Sequence, residues 1–273
     1  MQQLRGKVAV VTGASRGAGR GIALVLGEEG ATVYVTGRSI RGASTRPDLP
    51  GTTIDDTAEQ VIARRGIAIP VRCDHTAEAE VKALFERVKQ EHDHLDILVN
   101  NAWGGYEDYD EAFDAPFWEL SLSRWNKMLT AGVWSTMVTT YFAVPLMLSQ
   151  RQGVVANTLW DWEPYTGGSL FYYTAKKAIR YMTIGMAYEL RAHNIAVVGL
   201  IPGWMRTESV MAHNTPPPEE WCWTESVEYP GRAVVALATD PDRMEKTGRI
   251  LQTRALGPEY GFTDVDGKQP LLG

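Results

Sequence analysis

Short β-branched runs alternate with longer amphipathic stretches along the chain. The runs, of which Val8-Ala9-Val10-Val11 is the first, predict strands near 7–12, 31–36, 67–72, 95–99, 153–159, 195–201 and 249–253. Between them, apolar residues recurring at helical spacing predict helices near 17–29, 54–65, 76–91, 123–149, 170–193 and 226–239. Gly30, Gly66 and Asn194 stand where three of these helices should end, as residue types that tolerate a left-handed backbone. Strand–helix alternation of this regularity implies an α/β fold, a doubly wound parallel sheet of about seven strands with helices on both faces. The length of 273 residues suits one domain over 1–273. No internal repeat interrupts the pattern.

Three stretches break the alternation. Residues 39–53, with Arg41, Arg46, Pro47 and Pro50, read as a long loop after the second strand. Residues 103–122 are aromatic and acidic (Trp103, Tyr106, Tyr109, Phe113, Phe117, Trp118), and residues 203–225 hold Pro216-Pro217-Pro218 and Trp221-Cys222-Trp223. The last two follow carboxyl ends of strands, where open α/β sheets bind ligands, so their aromatic content suggests an apolar substrate pocket. Six of the nine tryptophans (Trp103, Trp160, Trp162, Trp204, Trp221, Trp223) fall in segments on this face.

Composition narrows the possibilities. A net charge of −6 argues against a nucleic-acid or anionic-membrane partner. Two distant cysteines, Cys73 and Cys222, read as reduced thiols of a cytoplasmic protein. No leader pattern precedes the first strand, and no membrane span is expected, because no run of about 18 uncharged apolar residues occurs. No metal site is expected.

The chemistry begins at Thr12-Gly13-Ala14-Ser15-Arg16-Gly17-Ala18-Gly19. A strand runs into a glycine-rich turn and the turn into a helix, the context of a Rossmann-like diphosphate site. The glycines permit close backbone approach, and the helix start presents unpaired N–H groups to an anion. The second predicted strand ends Thr36-Gly37-Arg38, without the carboxylate that would bind a ribose 2′-hydroxyl. Arg38 and Arg16 would instead suit a 2′-phosphate, through charge-assisted bonds.

The spacing G-x-x-x-G-x-G, then Asp74, Asn100-Asn101-Ala102, Tyr173, Lys177 and Pro202-Gly203 in order, resembles the short-chain dehydrogenase/reductase family from residue 7 to about 207. The resemblance implies an oxidoreductase that interconverts a carbonyl and an alcohol with NADP(H), on a small or medium apolar substrate. It implies cofactor contacts at Gly13, Ser15, Arg16, Gly17, Gly19, Arg38, Asp74 (at the adenine edge), Asn101, Ala102, Tyr173, Lys177, Pro202, Gly203 and Thr207. It further implies a homodimer or homotetramer paired through the helices 123–149 and 170–193.

Catalysis is expected from a doubled motif. Tyr172/Lys176 and Tyr173/Lys177 are both Tyr-x-x-x-Lys pairs, and residues i and i+4 share a helix face. An ammonium beside a phenol favours the phenolate, which suits the phenol to exchange a proton with a carbonyl oxygen. The family prefers small residues two and five places after its tyrosine. Ala175 and Ala178 meet that preference for Tyr173, so Tyr173 and Lys177 are assigned as acid/base and tuner, and Tyr172 as a packing or pocket residue.

Two family positions are substituted. The serine window before the tyrosine holds Trp160 and Asp161, and Gly132 occupies the slot of the helix asparagine. Asp161 would orient a substrate oxygen, donating to it if protonated, or stand as an ordinary loop acid; Ser169 lies too near Tyr173 to replace the serine. Trp103 stands where the family has glycine. These departures leave a second reading open, an NADP-binding sensor or interaction protein of weak catalytic power. An epimerase or dehydratase on the same fold lacks an identifiable second acid/base set.

Overall fold

A computed structural model describes residues 2–107, 112, 114–161, 165, 167 and 169–271. Tyr109, Phe113 and Trp162, expected among the aromatic loop residues, lie outside the described residues.

The chain forms β1 (Val8–Val11), α1 (Gly17–Glu28), β2 (Thr32–Gly37), α2 (Ile54–Ala63), β3 (Ile67–Arg72), α3 (Glu78–His92) and β4 (Ile97–Asn100). It continues with α4 (Leu122–Met128), a π-helical segment (Leu129–Trp134), α5 (Ser135–Leu148), β5 (Gly153–Thr158), α6 (Leu170–Leu190) and β6 (Ile195–Ile201). The remainder comprises β7 (Trp204–Met205), α7 (Glu208–His213), β8 (Thr224–Glu225), α8 (Tyr229–Thr239), β9 (Ile250–Gln252) and α9 (Thr253–Tyr260).

Seven strands form one parallel sheet in the order β3-β2-β1-β4-β5-β6-β9. Successive residues of β1 supply its opposite faces. Ala9 and Val11 join a core with Ile22, Leu26, Val33, Val35 and Val234, on the side of α1 and α8. Val8 and Val10 join one with Tyr34, Leu84, Val88, Val138 and Met147, on the side of α3 and α5. Buried on both sides, β1 and β4 are uninterrupted apolar runs up to Asn100. Strand order reverses between them, since β1 leads outward to β2 and β4 leads the other way to β5. Their carboxyl ends therefore open at the switch point where doubly wound sheets bind ligands.

The expected strands and helices are present, with local differences. The single helix expected over 123–149 is interrupted by the π segment around Gly132. Glycine is a weak helix former, and the hydroxyls of Ser135 and Thr136 bond back to the Gly132 carbonyl at 3.1 and 2.9 Å. Residues 203–225, expected to be irregular, contain α7 and the two-stranded β7–β8 ribbon. The helix α9 was not expected from the pattern; it is one short turn-pair following β9. Leu122–Leu148 is apolar and long enough to cross a membrane, but it is half buried inside the molecule, and Val138, Ala143, Leu146 and Met147 belong to the sheet core. Gly30 and Asn194 close helices in the left-handed region as expected.

Candidate active site

The carboxyl ends of β1 and β4 are locked together by one threonine. Thr12 Oγ1 accepts from the amides of Asn101 and Ala102, both at 2.9 Å, and Asn101 Nδ2 returns bonds to the carbonyls of Thr12 and Gly13 at 3.1 and 3.2 Å. The approach is so close that a Cβ at Gly13 would lie 2.8 Å from the Ala102 Cα, and Gly13 and Gly17 both hold positive φ. Asn100 points the other way: its Nδ2 bonds Asn157 and Thr140 at 2.8 and 2.9 Å, bracing β4 to β5 and α5.

A cleft of about 430 Å³ opens over this junction. Gly13, Ser15, Arg16, Gly17, Arg38, Asp74, Asn101, Ala102 and Thr207 line it, so the structure brings together nine of the residues anticipated for a dinucleotide. Tyr173, Lys177, Gly19, Pro202 and Gly203 do not line it. Gly19 packs beneath the loop against the Gly13 carbonyl and Asn101, and Gly203 packs toward Glu225 and Arg254.

A dinucleotide matches the donors present. The α1 start, with Arg16 at its N-cap, and the Arg38 guanidinium supply positive charge along the cleft. Arg16 is substantially buried, which lowers its pKa against the opposing pull of Glu107. Asp74 is shielded as well, yet its carboxyl stays below the usual range: burial would raise it, but the Thr76 amide and hydroxyl bond it at 2.9 and 2.8 Å. These bonds fix Asp74 in the turn after β3, at the cleft edge.

Two carboxylates in the cleft were not anticipated. Glu107 bonds Arg38 Nη2 at 2.7 and 2.5 Å and lies 3.8 Å from Arg16. Glu208, at the start of α7, accepts from the Gly17 amide at 2.7 Å and pairs with Arg20 at 3.1 Å. The β2 end thus has a carboxylate beside it in space, although none stands there in sequence. Arg46, Ser39 and Thr45 also line this end. Glu107 is 69 residues from Arg38 and Glu208 is 191 from Gly17, so no local pattern could have joined them.

The two Tyr-x-x-x-Lys registers meet different surroundings on α6. Tyr172 stacks on Tyr106 with ring centroids 5.9 Å apart and meets Trp103 edge-on at 5.4 Å. Burial pushes the Tyr172 phenol up to about 12. Lys176 is buried, with its Nζ 4.1 Å from the Trp103 ring centroid, and burial pushes it down to about 7. Tyr173 turns toward Tyr165 (5.4 Å), and Lys177 pairs with Asp161, which also accepts from Arg180 Nε at 2.9 Å.

Asp161 was expected either to donate as a protonated acid or to stand as a loop acid. In the structure its two oxygens accept from Lys177 Nζ and Arg180 Nε. Ser169, immediately before α6, holds a left-handed backbone at φ 48°, and its buried Oγ has no hydrogen-bond partner among the described residues. Its carbonyl accepts the Tyr173 amide at 3.2 Å.

Trp103 accounts for Gly132. A Cβ at Gly132 would lie 2.4 Å from Cζ3 of Trp103, so the indole fills the space beside the π segment that a side chain at 132 would need.

Comparison with known proteins agrees with this architecture. The family model for short chain dehydrogenase matches residues 7–218. The mouse protein "Dehydrogenase/reductase SDR family member 1" is 35% identical over 277 residues, covering 97% of this chain and 85% of its own length. A 7α-hydroxysteroid dehydrogenase, solved with NADH and 7-oxo glycochenodeoxycholic acid, superposes with a TM-score of 0.75 at 25% identity, covering 99% of this chain and 98% of that one. A metagenomic short-chain oxidoreductase in complex with NADP shares the fold at 24% identity, with a TM-score of 0.72 and coverage of 92% and 97%.

Proposed function

The chain belongs to the short-chain dehydrogenase/reductase family of oxidoreductases, and from that premise we propose that it is an NADP(H)-dependent enzyme interconverting a carbonyl and an alcohol on a small or medium apolar substrate. The observation that carries the cofactor preference is the convergence of Arg16 and Arg38 on one edge of the cleft, with Arg46 beside them. Solved relatives hold NADH in one case and NADP in another, so the preference rests on these arginines.

The bound cofactor would supply or take the hydride. Tyr173 gives the proton to the carbonyl oxygen in reduction and removes it in oxidation. On this reading Lys177 would favour the phenolate form of Tyr173 and hold ribose hydroxyls. Asp161 draws on the same ammonium, so full support of Tyr173 requires Lys177 to turn from it. The separation of the two registers supports Tyr173: Tyr172 and Lys176 are embedded in the aromatic cluster of Trp103 and Tyr106. Gly13, Ser15, Gly17, Asn101, Ala102 and Thr207 would hold the dinucleotide backbone and Asp74 the adenine edge. Pro202 and Gly203, with the ribbon that follows, would border the nicotinamide end.

We take the chain as one domain, acting as a homodimer or homotetramer in the cytoplasm. Tyr141 on α5 and Tyr181 and Tyr188 on α6 are exposed large aromatics on helices that the family pairs between subunits. The free thiols Cys73 and Cys222 suit a reducing compartment. The weakly catalytic alternative draws support from the Asp161–Lys177 pair and the missing hydroxyl and amide side chains at 160–161 and 132.

Calorimetric titration of NADPH and NADH tests the cofactor assignment. Wild type should bind NADPH more tightly, and Arg38→Asp should weaken NADPH by about tenfold or more while changing NADH little, as expected for loss of a charge-assisted bond. Tighter NADH binding by the wild type would remove the assignment.

A further inference from the structure

Glu107 is placed where it matters for the choice between the two nicotinamide cofactors. Both of its oxygens engage Arg38, and Arg16 lies 3.8 Å away. The three side chains are largely shielded, with 35% exposure at most. Arg46 faces the same carboxylate but is itself tied to Asp48 at 2.5 Å. Glu107 therefore takes up Arg38 Nη2 and draws on the charge of Arg16, which sets an internal anion against the donors of this edge.

A ribose 2′-phosphate is a dianion or nearly so, and needs those same donors. A carboxylate already bonded to the same guanidinium opposes it, because adjacent like charges in a shielded site repel strongly. A ribose 2′-hydroxyl has no charge to repel and can donate to the carboxylate. We infer that Glu107 is a specificity-determining residue, whose carboxylate competes with a 2′-phosphate for Arg38 and Arg16 and so sets how far the site favours NADPH over NADH. The inference rests on the nicotinamide-cofactor reading above and concerns the ratio of the two affinities.

Glu208 provides an internal control. Its carboxylate engages the Gly17 amide and Arg20, at the diphosphate end of the same cleft. Any diphosphate must displace it, whichever ribose substituent follows. Removing the Glu208 charge should affect both cofactors alike, whereas removing the Glu107 charge should affect only the phosphorylated one.

The experiment titrates NADPH, NADH and 2′-AMP by calorimetry into wild type, Glu107→Gln and Glu208→Gln. Glu107→Gln should tighten NADPH and 2′-AMP by about tenfold, the scale of one charged hydrogen bond, and leave NADH within about twofold. Glu208→Gln should tighten both dinucleotides and leave their ratio in place. An unchanged NADPH:NADH ratio in Glu107→Gln overturns the inference, whichever cofactor the wild type prefers. An equal shift of the ratio in Glu208→Gln also overturns it, since the effect would then be one of net charge. A wild type that prefers NADH, with Glu107→Gln reversing the order, would support the inference while removing the wild-type preference proposed above. Binding of neither dinucleotide by any of the three proteins would overturn both.

Discussion

A lysine ammonium set over an indole, with no ion-pair partner among the described residues, carries a large desolvation cost. Lys176 is in that position against Trp103, and its pKa falls from 10.5 to about 7 as a result. Cation–π attraction offsets part of the cost, on the order of 1–2 kcal/mol in a shielded setting. Because the folded-state pKa is the lower, the unfolded chain binds the extra proton between pH 7 and 10.5. Stability is then lost as pH falls through this window and levels out below it. Lys176→Met keeps the volume and removes the charge, so it should raise the melting temperature at pH 6, with the gain shrinking as pH approaches 10. Thermal melts across the range check this; a gain independent of pH would show that Lys176 is not held as described. The residue types of the site were legible in the sequence here, down to the doubled Tyr-x-x-x-Lys motif. The surroundings that separate Tyr172 from Tyr173 were not, because Trp103 and Tyr106 reach α6 from the distant loop after β4, and Tyr165 meets Tyr173 from the irregular segment just ahead of the helix.

At the scale of elements, the π segment and Trp103 form one device. The indole fills the space a side chain at 132 would take, and the hydroxyls of Ser135 and Thr136 bond the Gly132 carbonyl. We propose that Trp103 and Gly132, which read in the sequence as two separate departures from the family, are one compensated exchange of volume. Gly132→Asn should destabilise by about 1–3 kcal/mol through overpacking, and Trp103→Gly by about 3–5 kcal/mol through loss of a large packed ring. The double variant should be more stable than the sum of these losses by at least about 1 kcal/mol, as neighbouring sites couple. Denaturant unfolding of all four proteins reads the cycle, and simple additivity would contradict the exchange. The outline of the helices was legible from apolar spacing, but the π segment was not. It arises from a ring supplied by the loop after β4, whereas α7 and the β7–β8 ribbon are too short to give a period.

For the molecule as a whole, topology places the chemistry. Strands read from β-branched runs assemble in the order that puts the ends of β1 and β4 at the switch point, and the glycine loop and Asn101 meet there. That much followed from the alternation and the strand–turn–helix context. The acids of the cleft did not, because Glu107, on the loop after β4, and Glu208, at the start of α7, meet Arg38 and Gly17 only in the folded chain. We propose that this assembly carries out carbonyl–alcohol interconversion through Tyr173. The most direct measurement is carbonyl-dependent oxidation of NADPH over a panel of apolar ketones and aldehydes, comparing wild type with Tyr173→Phe and Tyr172→Phe. Wild type should turn over, Tyr173→Phe should lose about 10²- to 10⁴-fold, and Tyr172→Phe should stay within about tenfold of wild type. Binding of NADPH without turnover on any carbonyl, or an exchange of the two tyrosine phenotypes, would contradict it.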